Sequence, residues 1–241
     1  MVQAVDVLDP LERELLLASR MRLLFHEHRM LAHDIRAPLN AINLSLELLT
    51  VTLGEDPGAD QEPRWQRHIA VVREELGRLH QSVDARLEHE RDPLGEHRER
   101  FDLGSMVAEL VELLSSEARG RRIPLEARAG ERPAWLYGTR ARLKQAVFNL
   151  LLHELDAIGR REPLVISVQQ EQRAAGGVIS LSYAAACRLR WPQRVSESGG
   201  EASLYIAYRL IQLQGGELVQ QRNAEGEDSV RLLFSANDLP G

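Results

Sequence analysis

A histidine, an aspartate and an arginine lie within four residues of one another, at His33, Asp34 and Arg36. His33 is about 200° around the helix axis from the apolar residues Leu31 and Ile35, so its imidazole is expected to point to solvent. A neutral imidazole is a nucleophile at cellular pH, and an exposed one can meet a phosphoryl donor carried by another protein. Asp34 could hold one ring N–H and leave the other nitrogen free to attack, although adjacent helix positions do not face one another. The alternative is a solvated polar histidine.

The helix that carries these residues is predicted to be long. Asp9 can cap its N-terminus, with Pro10 in the first turn and Glu12 completing a capping box, and the helical pattern continues to Leu53. Pro38 removes one helical hydrogen bond, so a bend is expected there. Apolar residues at spacings of three and four indicate one buried stripe: Leu31, Ile35, Leu39, Ile42, Leu46, Leu49 and Leu53.

A second amphipathic helix follows a turn at residues 54–63. Its apolar positions are Trp65, Ile69, Val72, Leu76, Leu79, Val83 and Leu87. Two long helices joined by a short loop predict a helical hairpin. Because a lone hairpin leaves its stripe half covered, two hairpins from two chains are expected to close a four-helix bundle, and the sequence predicts a homodimer.

The second half of the chain has a different pattern. Residues 88–100 are charged and contain a proline and a glycine, so they are predicted to link a domain over 1–92 to one over 101–241. Helices are predicted over 103–119, 140–159 and 201–213, and strands over 123–129, 164–170, 178–184, 217–222 and 229–236, the last two as a hairpin. Gly215 and Gly216 are expected to end the last helix. Strands interspersed with helices predict that the second half is a helix-on-sheet α/β sandwich. With the N-terminal helical hairpin in front of it, the predicted fold class of the whole chain is α+β.

Composition excludes some partners and favours one compartment. The 241 residues include 30 Lys and Arg against 36 Asp and Glu, a net charge of −6, which argues against nucleic acid as the main partner. No run approaches the roughly 20 apolar residues of a membrane span, and the N-terminus lacks the features of a signal peptide, so no membrane partner is predicted. The single cysteine, Cys187, fits a reducing compartment, and we expect a cytoplasmic protein.

The stretch HDIRAPLNAINLSLELL resembles the phosphoacceptor box of two-component sensor histidine kinases. The family pattern is His, then Glu or Asp, an Arg two residues later and then Pro-Leu, and it is met over about twenty residues. The resemblance implies that His33 carries the phosphoryl group, that Asp34 assists its transfer and that Arg36 belongs to the same catalytic box.

The second half resembles the ATP-binding domain of the same family, the Bergerat or GHKL fold. FDLGSMVAELVELLSSEARGRRIPL is similar to its entry helix and strand, RLKQAVFNLLLHELDAI to its N-box helix, and SLYIAYRLIQLQGGELVQQ to the helix and strand after its lid. In the family, the second Asn of Asn-Leu-Leu-x-Asn holds magnesium. Here Asn149 matches the first position, but the second is His153, and nitrogen suits Mg²⁺ poorly. Glu154 and Asp156 either supply oxygens nearby or are solvated acids of the helix surface.

Two further nucleotide motifs are degenerate in this sequence. Where the family has Asp-x-Gly-x-Gly, the chain runs from Tyr183 through three alanines to Cys187, so the carboxylate and glycines for adenine are missing and Tyr183 could fill the pocket. The Gly-rich lid motif keeps only Gly199 at its family position, and Glu201 would face the phosphates. The short segment between them contains Arg188, Arg190 and Arg194, which either grip a phosphate or an acidic partner or form a solvated loop.

These observations leave three functions open. The first is a phosphorelay histidine phosphotransferase, resembling the ChpT type, which accepts a phosphoryl group on His33 from a response-regulator receiver domain and passes it to another. It would have no cofactor or metal of its own, with Mg²⁺ supplied by the receiver, and little or no ATP binding. The second is a divergent ATP-dependent histidine kinase that uses His153 or Glu154 in place of the Asn. The third is a pseudokinase scaffold that regulates a partner kinase or response regulator.

Overall fold

The computed structural model describes residues 10–54, 62–90, 97–158, 163–173, 176–184, 199–222 and 228–235. The elements in chain order are α1 (Pro10–Gly54), α2 (Glu62–Glu90), β1 (Glu99–Asp102), α3 (Leu103–Arg121), β2 (Leu125–Ala129), β3 (Trp135–Gly138), α4 (Arg140–Ala157), β4 (Leu164–Arg173), β5 (Gly176–Ala184), α5 (Gly199–Leu213), β6 (Glu217–Arg222) and β7 (Asp228–Ser235). The predicted cap at Asp9 lies outside these residues, and α1 continues through Pro38.

The chain divides into two compact units. One is Phe25–Leu94, which holds the larger part of α1 and all of α2; the other joins Met1–Leu24 to Gly95–Gly241. The border at Leu94 falls between the two predicted domains. The described residues 10–24, however, group with the second half of the chain and not with the rest of the predicted helical domain. The first turns of α1 therefore belong to the same compact unit as the sheet.

The second unit is a helix-on-sheet sandwich. Its five-stranded sheet has the order β2-β4-β5-β7-β6, with β2 and β4 parallel and the other pairs antiparallel. Alternate residues of the central strands are buried, as the period of two in a strand requires: Leu164, Ile166 and Val168 in β4, and Val230, Leu232 and Phe234 in β7. Buried side chains of α3, α4 and α5 complete this core, including Leu110, Leu114, Phe148, Leu151 and Ile206. The predicted fold class, a helical region followed by an α/β sandwich, is confirmed.

A short ribbon of β1 and β3 was not predicted. Glu99–Asp102 pairs antiparallel with Trp135–Gly138, so the end of the predicted linker over 88–100 is a strand. Residues 91–96 of that linker lie outside the described part of the chain. Phe101 and Leu136 point into the core from this ribbon. A four-residue strand as charged as ERFD contains too few alternations for a sequence pattern to reveal it.

Asp102 joins the ribbon to the first helix of the sandwich. Its carboxylate accepts hydrogen bonds from the Ser105 backbone N–H at 3.0 Å, from the Ser105 hydroxyl at 2.8 Å and from the Ala134 N–H at 2.8 Å, and so caps the N-terminus of α3. Partial burial alone would raise the pKa of this carboxyl, but the hydrogen bonds from Ser105, Ala134 and Gly104 bring it below its ordinary value. The cap therefore remains ionised at neutral pH.

The end of α5 follows the prediction. Gly215 has φ of +70°, and the Gly216 N–H donates to the Ile211 carbonyl at 3.0 Å. A Cβ on Gly216 would lie 2.4 Å from the ring of Phe234, so only glycine fits there without rearrangement. Strands β6 and β7 then pair antiparallel as predicted, and their connection at residues 223–227 lies outside the described residues.

No helix in the described ranges is long and apolar enough to span a membrane.

Candidate phosphoacceptor site and nucleotide-binding face

His33 projects from α1 into solvent. Its side chain is 83% exposed and that of Asp34 is 47% exposed, as the helical periodicity predicts for the histidine. The Nδ1 atom of His33 lies 3.4 Å from Oδ1 of Asp34, which is long for a hydrogen bond, and Arg36 is exposed on the same helix. In the tautomer with a proton on Nδ1, Asp34 receives this weak contact and Nε2 presents its lone pair to solvent. This arrangement allows nucleophilic attack on a group brought by another molecule.

Exposed apolar side chains continue along the face of α1 that carries His33. Leu44, Leu48 and Val51 are 57%, 42% and 59% exposed. They follow His33 by 11, 15 and 18 residues, which places them within about 60° of it around the helix axis. We call Leu44, Leu48 and Val51 the apolar strip. The sequence pattern did not reveal this strip, because the apolar stripe predicted for the core lies on the opposite face of α1.

The predicted core stripe of α1 is only partly covered in a single chain. Ile42 is buried at 8% exposure, but Leu39 and Leu46 remain 45% and 48% exposed. On α2, Leu76 and Val83 of the corresponding stripe are 53% and 38% exposed. Apolar side chains at regular helical spacing are thus left facing water along both helices.

Asn149 is fully buried in α4. Its amide nitrogen donates to the Ser19 hydroxyl oxygen at 2.6 Å and to the Gln145 backbone carbonyl at 2.8 Å. Its carbonyl oxygen has no hydrogen-bond partner among the described residues. The asparagine predicted to match the first N-box position therefore uses its amide donor inside the protein.

At the end of α4, two acidic residues and a histidine lie close together in the sequence but in different surroundings. Glu154 is fully buried, which corrects the alternative that it is a solvated surface acid, whereas Asp156 is exposed and pairs with Arg121 at 2.5 Å. His153 is half-buried; burial lowers its pKa, and the negative charge of Asp156 opposes this shift only in part. A neutral imidazole and a carboxylate paired with Arg121 are poor ligands for a hard cation.

The remaining predicted nucleotide positions are less completely described. Tyr183 is 3% exposed in β5, opposite Ile166 of β4 and Val230 of β7, so its ring is part of the sheet core. Gly199 begins α5. Residues 185–198, with the three predicted arginines of the lid, lie outside the described residues. Among the described residues, the Asn149 amide donates to Ser19, His153 offers a nitrogen and Asp156 pairs with Arg121, which is a poor donor set for a magnesium nucleotide.

The depressed pKa of His153 gives a pH-dependent stability. The imidazole of His153 binds its proton more readily in the unfolded chain than in the folded one. The contribution of this residue to the free energy of unfolding is therefore fully present above the ordinary pKa of about 6.5 and is lost as pH falls toward the folded pKa. Replacing His153 by Asn, which does not titrate in this range, should therefore flatten the acid side of the stability curve. Urea unfolding of both proteins between pH 8 and pH 5 measures this, with His80→Asn, at an exposed position, as the matched control. Parallel curves for wild type and His153→Asn would contradict the assignment.

Comparison with known proteins points to one class. The chain matches no protein-family model. It is 27% identical over 232 residues to sensor histidine kinase ZraS of Escherichia coli strain K12, covering 93% of this chain and 48% of that protein. It is 28% identical over 150 residues to sporulation kinase B of Bacillus subtilis strain 168, covering 61% of this chain and 33% of that protein. The chain thus spans less than half the length of either relative.

A solved structure adds a further likeness. The histidine kinase AdeS of Acinetobacter baumannii aligns over 86% of this chain and 98% of its own, at 16% identity and a TM-score of 0.44. By its sequence similarity to the two relatives, the chain is histidine-kinase-like.

Proposed function

We propose that this protein is a two-component histidine phosphotransferase that accepts a phosphoryl group on His33 from a response-regulator receiver domain and passes it to another receiver. The observation that carries the proposal is a contrast within one chain. The imidazole of His33 is 83% exposed beside Asp34, while Asn149 at the nucleotide-binding face is fully buried and bonded to other residues of the protein. A phosphoacceptor without a nucleotide site requires a phosphorylated partner as donor.

The transfer involves one bond made and one broken. The Nε2 lone pair of His33 attacks the phosphorus of the receiver's aspartyl phosphate, the N–P bond forms, and the P–O bond to the receiver carboxylate breaks with its electron pair on that oxygen. Asp34 stabilises the positive charge that develops on the imidazole. Mg²⁺ held by the receiver would supply the charge that neutralises the phosphoryl oxygens, and the same step in reverse would transfer the group from His33 to the aspartate of a second receiver. This chain contributes position and the nucleophile.

The apolar strip gives the receiver a surface to bind. Leu44, Leu48 and Val51 are exposed on the face of α1 that carries His33, and contiguous exposed apolar side chains are typical of protein interfaces. A receiver bound there would contact the helix surface that presents the imidazole. The partner is therefore a receiver domain with a complementary apolar surface beside its phosphorylated aspartate.

We also propose a homodimer. Leu39 and Leu46 of α1 and Leu76 of α2 belong to predicted core stripes but are about half exposed in one chain. A second copy that covers them in a four-helix bundle would remove these side chains from water.

A cytoplasmic location is part of the same proposal, because the donors and acceptors of such a relay are cytoplasmic proteins and the single cysteine fits a reducing compartment.

The second candidate function is an ATP-dependent histidine kinase, and the names of the two sequence relatives favour it. The two functions differ in the donor. We expect wild-type protein incubated with Mg²⁺ and γ-labelled ATP to stay unlabelled, and a titration with Mg²⁺ and ATP to give no saturable binding at millimolar nucleotide. The variant His33→Ala is the control for label at other positions. Label on wild type and not on His33→Ala would establish the kinase instead.

A further inference from the structure

The first turns of α1 have a buried face that is not part of the predicted core stripe. Glu12, Ser19 and Leu23 are 4%, 5% and 6% exposed, and their spacings of seven and four place them on one side of the helix. On the opposite side, Leu17 and Met21 are 55% and 66% exposed. Two polar side chains, Glu12 and Ser19, thus share the buried face with Leu23, so this face must be matched to specific polar partners.

One set of partners lies on α5. The Glu12 carboxylate accepts hydrogen bonds from the Tyr205 hydroxyl at 2.5 Å and from Nε of Arg209 at 2.9 Å. The Glu12 side chain is 5% exposed and that of Arg209 is 23% exposed. Nearer the start of α5, Arg22 donates to the Ser203 hydroxyl at 3.1 Å. A carboxylate this deeply buried is tolerated only where a fixed cation and further donors surround it.

The second set of partners lies on α4. The Ser19 hydroxyl oxygen accepts from Asn149 at 2.6 Å and from Nε2 of Gln145 at 3.0 Å. The same Gln145 nitrogen donates to the Leu16 backbone carbonyl at 2.9 Å. The side-chain amides of Gln145 and Asn149 thus both bind the Ser19 hydroxyl, and that of Gln145 also binds the backbone of the same turn of α1.

We propose that the face formed by α4 and α5 is a helix-binding site whose occupant is the segment Pro10–Leu24 of the same chain. By the resemblance described above, Asn149 stands at an N-box position and α5 follows the nucleotide lid. Here the Asn149 amide holds a serine of α1, so this position has changed from a nucleotide site to a docking site for a helix. This docking does not require phosphotransfer at His33, although α1 continues without interruption to that residue.

Hydrogen–deuterium exchange of the full chain tests this docking. The variant Glu12→Arg places a second cation beside Arg209, so the segment Pro10–Leu24 should undock and its amides should exchange at least about tenfold faster. Peptides from β4 and β5 should keep their wild-type exchange, which shows that the sandwich remains folded. The double variant Glu12→Arg/Arg209→Glu reverses the ion pair and should restore protection. Glu14→Arg makes the same charge change at an exposed position and should have no effect.

Two outcomes would overturn the proposal. If the wild-type amides of Pro10–Leu24 exchange as fast as those of Glu12→Arg, the segment is not docked. If mixing the single variants Glu12→Arg and Arg209→Glu restores protection, the occupant is the helix of a second copy and not of the same chain. Rescue only in the double variant supports docking within one chain.

Discussion

The variant His33→Gln should lose phosphoryl acceptance from a phosphorylated receiver domain by on the order of a thousandfold or more. Glutamine keeps polarity and side-chain size but has no nucleophilic nitrogen at neutral pH. Because the imidazole is 83% exposed, its replacement removes little packing, and the helical content of α1 should stay unchanged. The rate is measured by mixing a labelled phosphoreceiver with each protein and following label on this chain over time.

The matched control is His28→Gln, an exposed histidine of the same helix, which should transfer at the wild-type rate. Asp34→Asn keeps the shape of the neighbouring side chain and removes its charge. It should slow transfer by about tenfold, since the long 3.4 Å contact makes Asp34 an assisting group and not the reacting one. Equal transfer to wild type and His33→Gln would mean that His33 is not the acceptor, whereas no transfer to either protein would favour a scaffold.

The double variant Leu39→Arg/Leu46→Arg should convert the proposed homodimer to monomers. Both side chains are about half exposed in one chain, and burying a leucine contributes about 1.5 to 3 kcal/mol. Two-fold symmetry doubles the effect, and the introduced arginines would be buried without partners, so the dimer should weaken by at least about a thousandfold. Light scattering coupled to size exclusion measures the mass directly.

The apolar strip supplies the control for this experiment. Leu44→Arg changes a somewhat more exposed leucine on the other face of α1, so the protein should remain a dimer while transfer from the receiver slows. If Leu44→Arg also separates the subunits, the strip belongs to the dimer interface. If the Leu39→Arg/Leu46→Arg variant keeps the wild-type mass, the bundle does not form through the predicted stripe.

Regular elements were predictable where the pattern is long. The spacing from Leu31 to Leu53 predicts one helix with His33 on its outer side, and α1 has this form. The strands β4 to β7 and the glycines after α5 follow from alternation and from Gly215 with Gly216. Strands β1 and β3 could not be predicted because four residues carry almost no period.

The polar details of the site were less accessible from the sequence. A solvated surface position was one of two alternatives for Glu154, yet this residue is fully buried, because a side chain's burial depends on what packs against it and not on its type alone. Glu12 and Tyr205 are 193 positions apart, and Ser19 and Asn149 are 130 apart, so no local pattern connects them. What the sequence does contain is the spacing of Glu12, Ser19 and Leu23, which places all three on one face of the helix. Two of the three are polar at positions where leucines are expected.

The most direct test of the account is a two-step transfer. Wild-type protein is first labelled from a phosphorylated receiver domain in Mg²⁺ without nucleotide, freed of that receiver and then mixed with a second, unphosphorylated receiver. We predict that the label appears on His33, identified by mass spectrometry of the phosphopeptide under alkaline conditions, and then moves to the second receiver's aspartate. No label from any receiver, together with label on His33 from Mg²⁺ and ATP, would contradict phosphotransfer and make this chain a kinase.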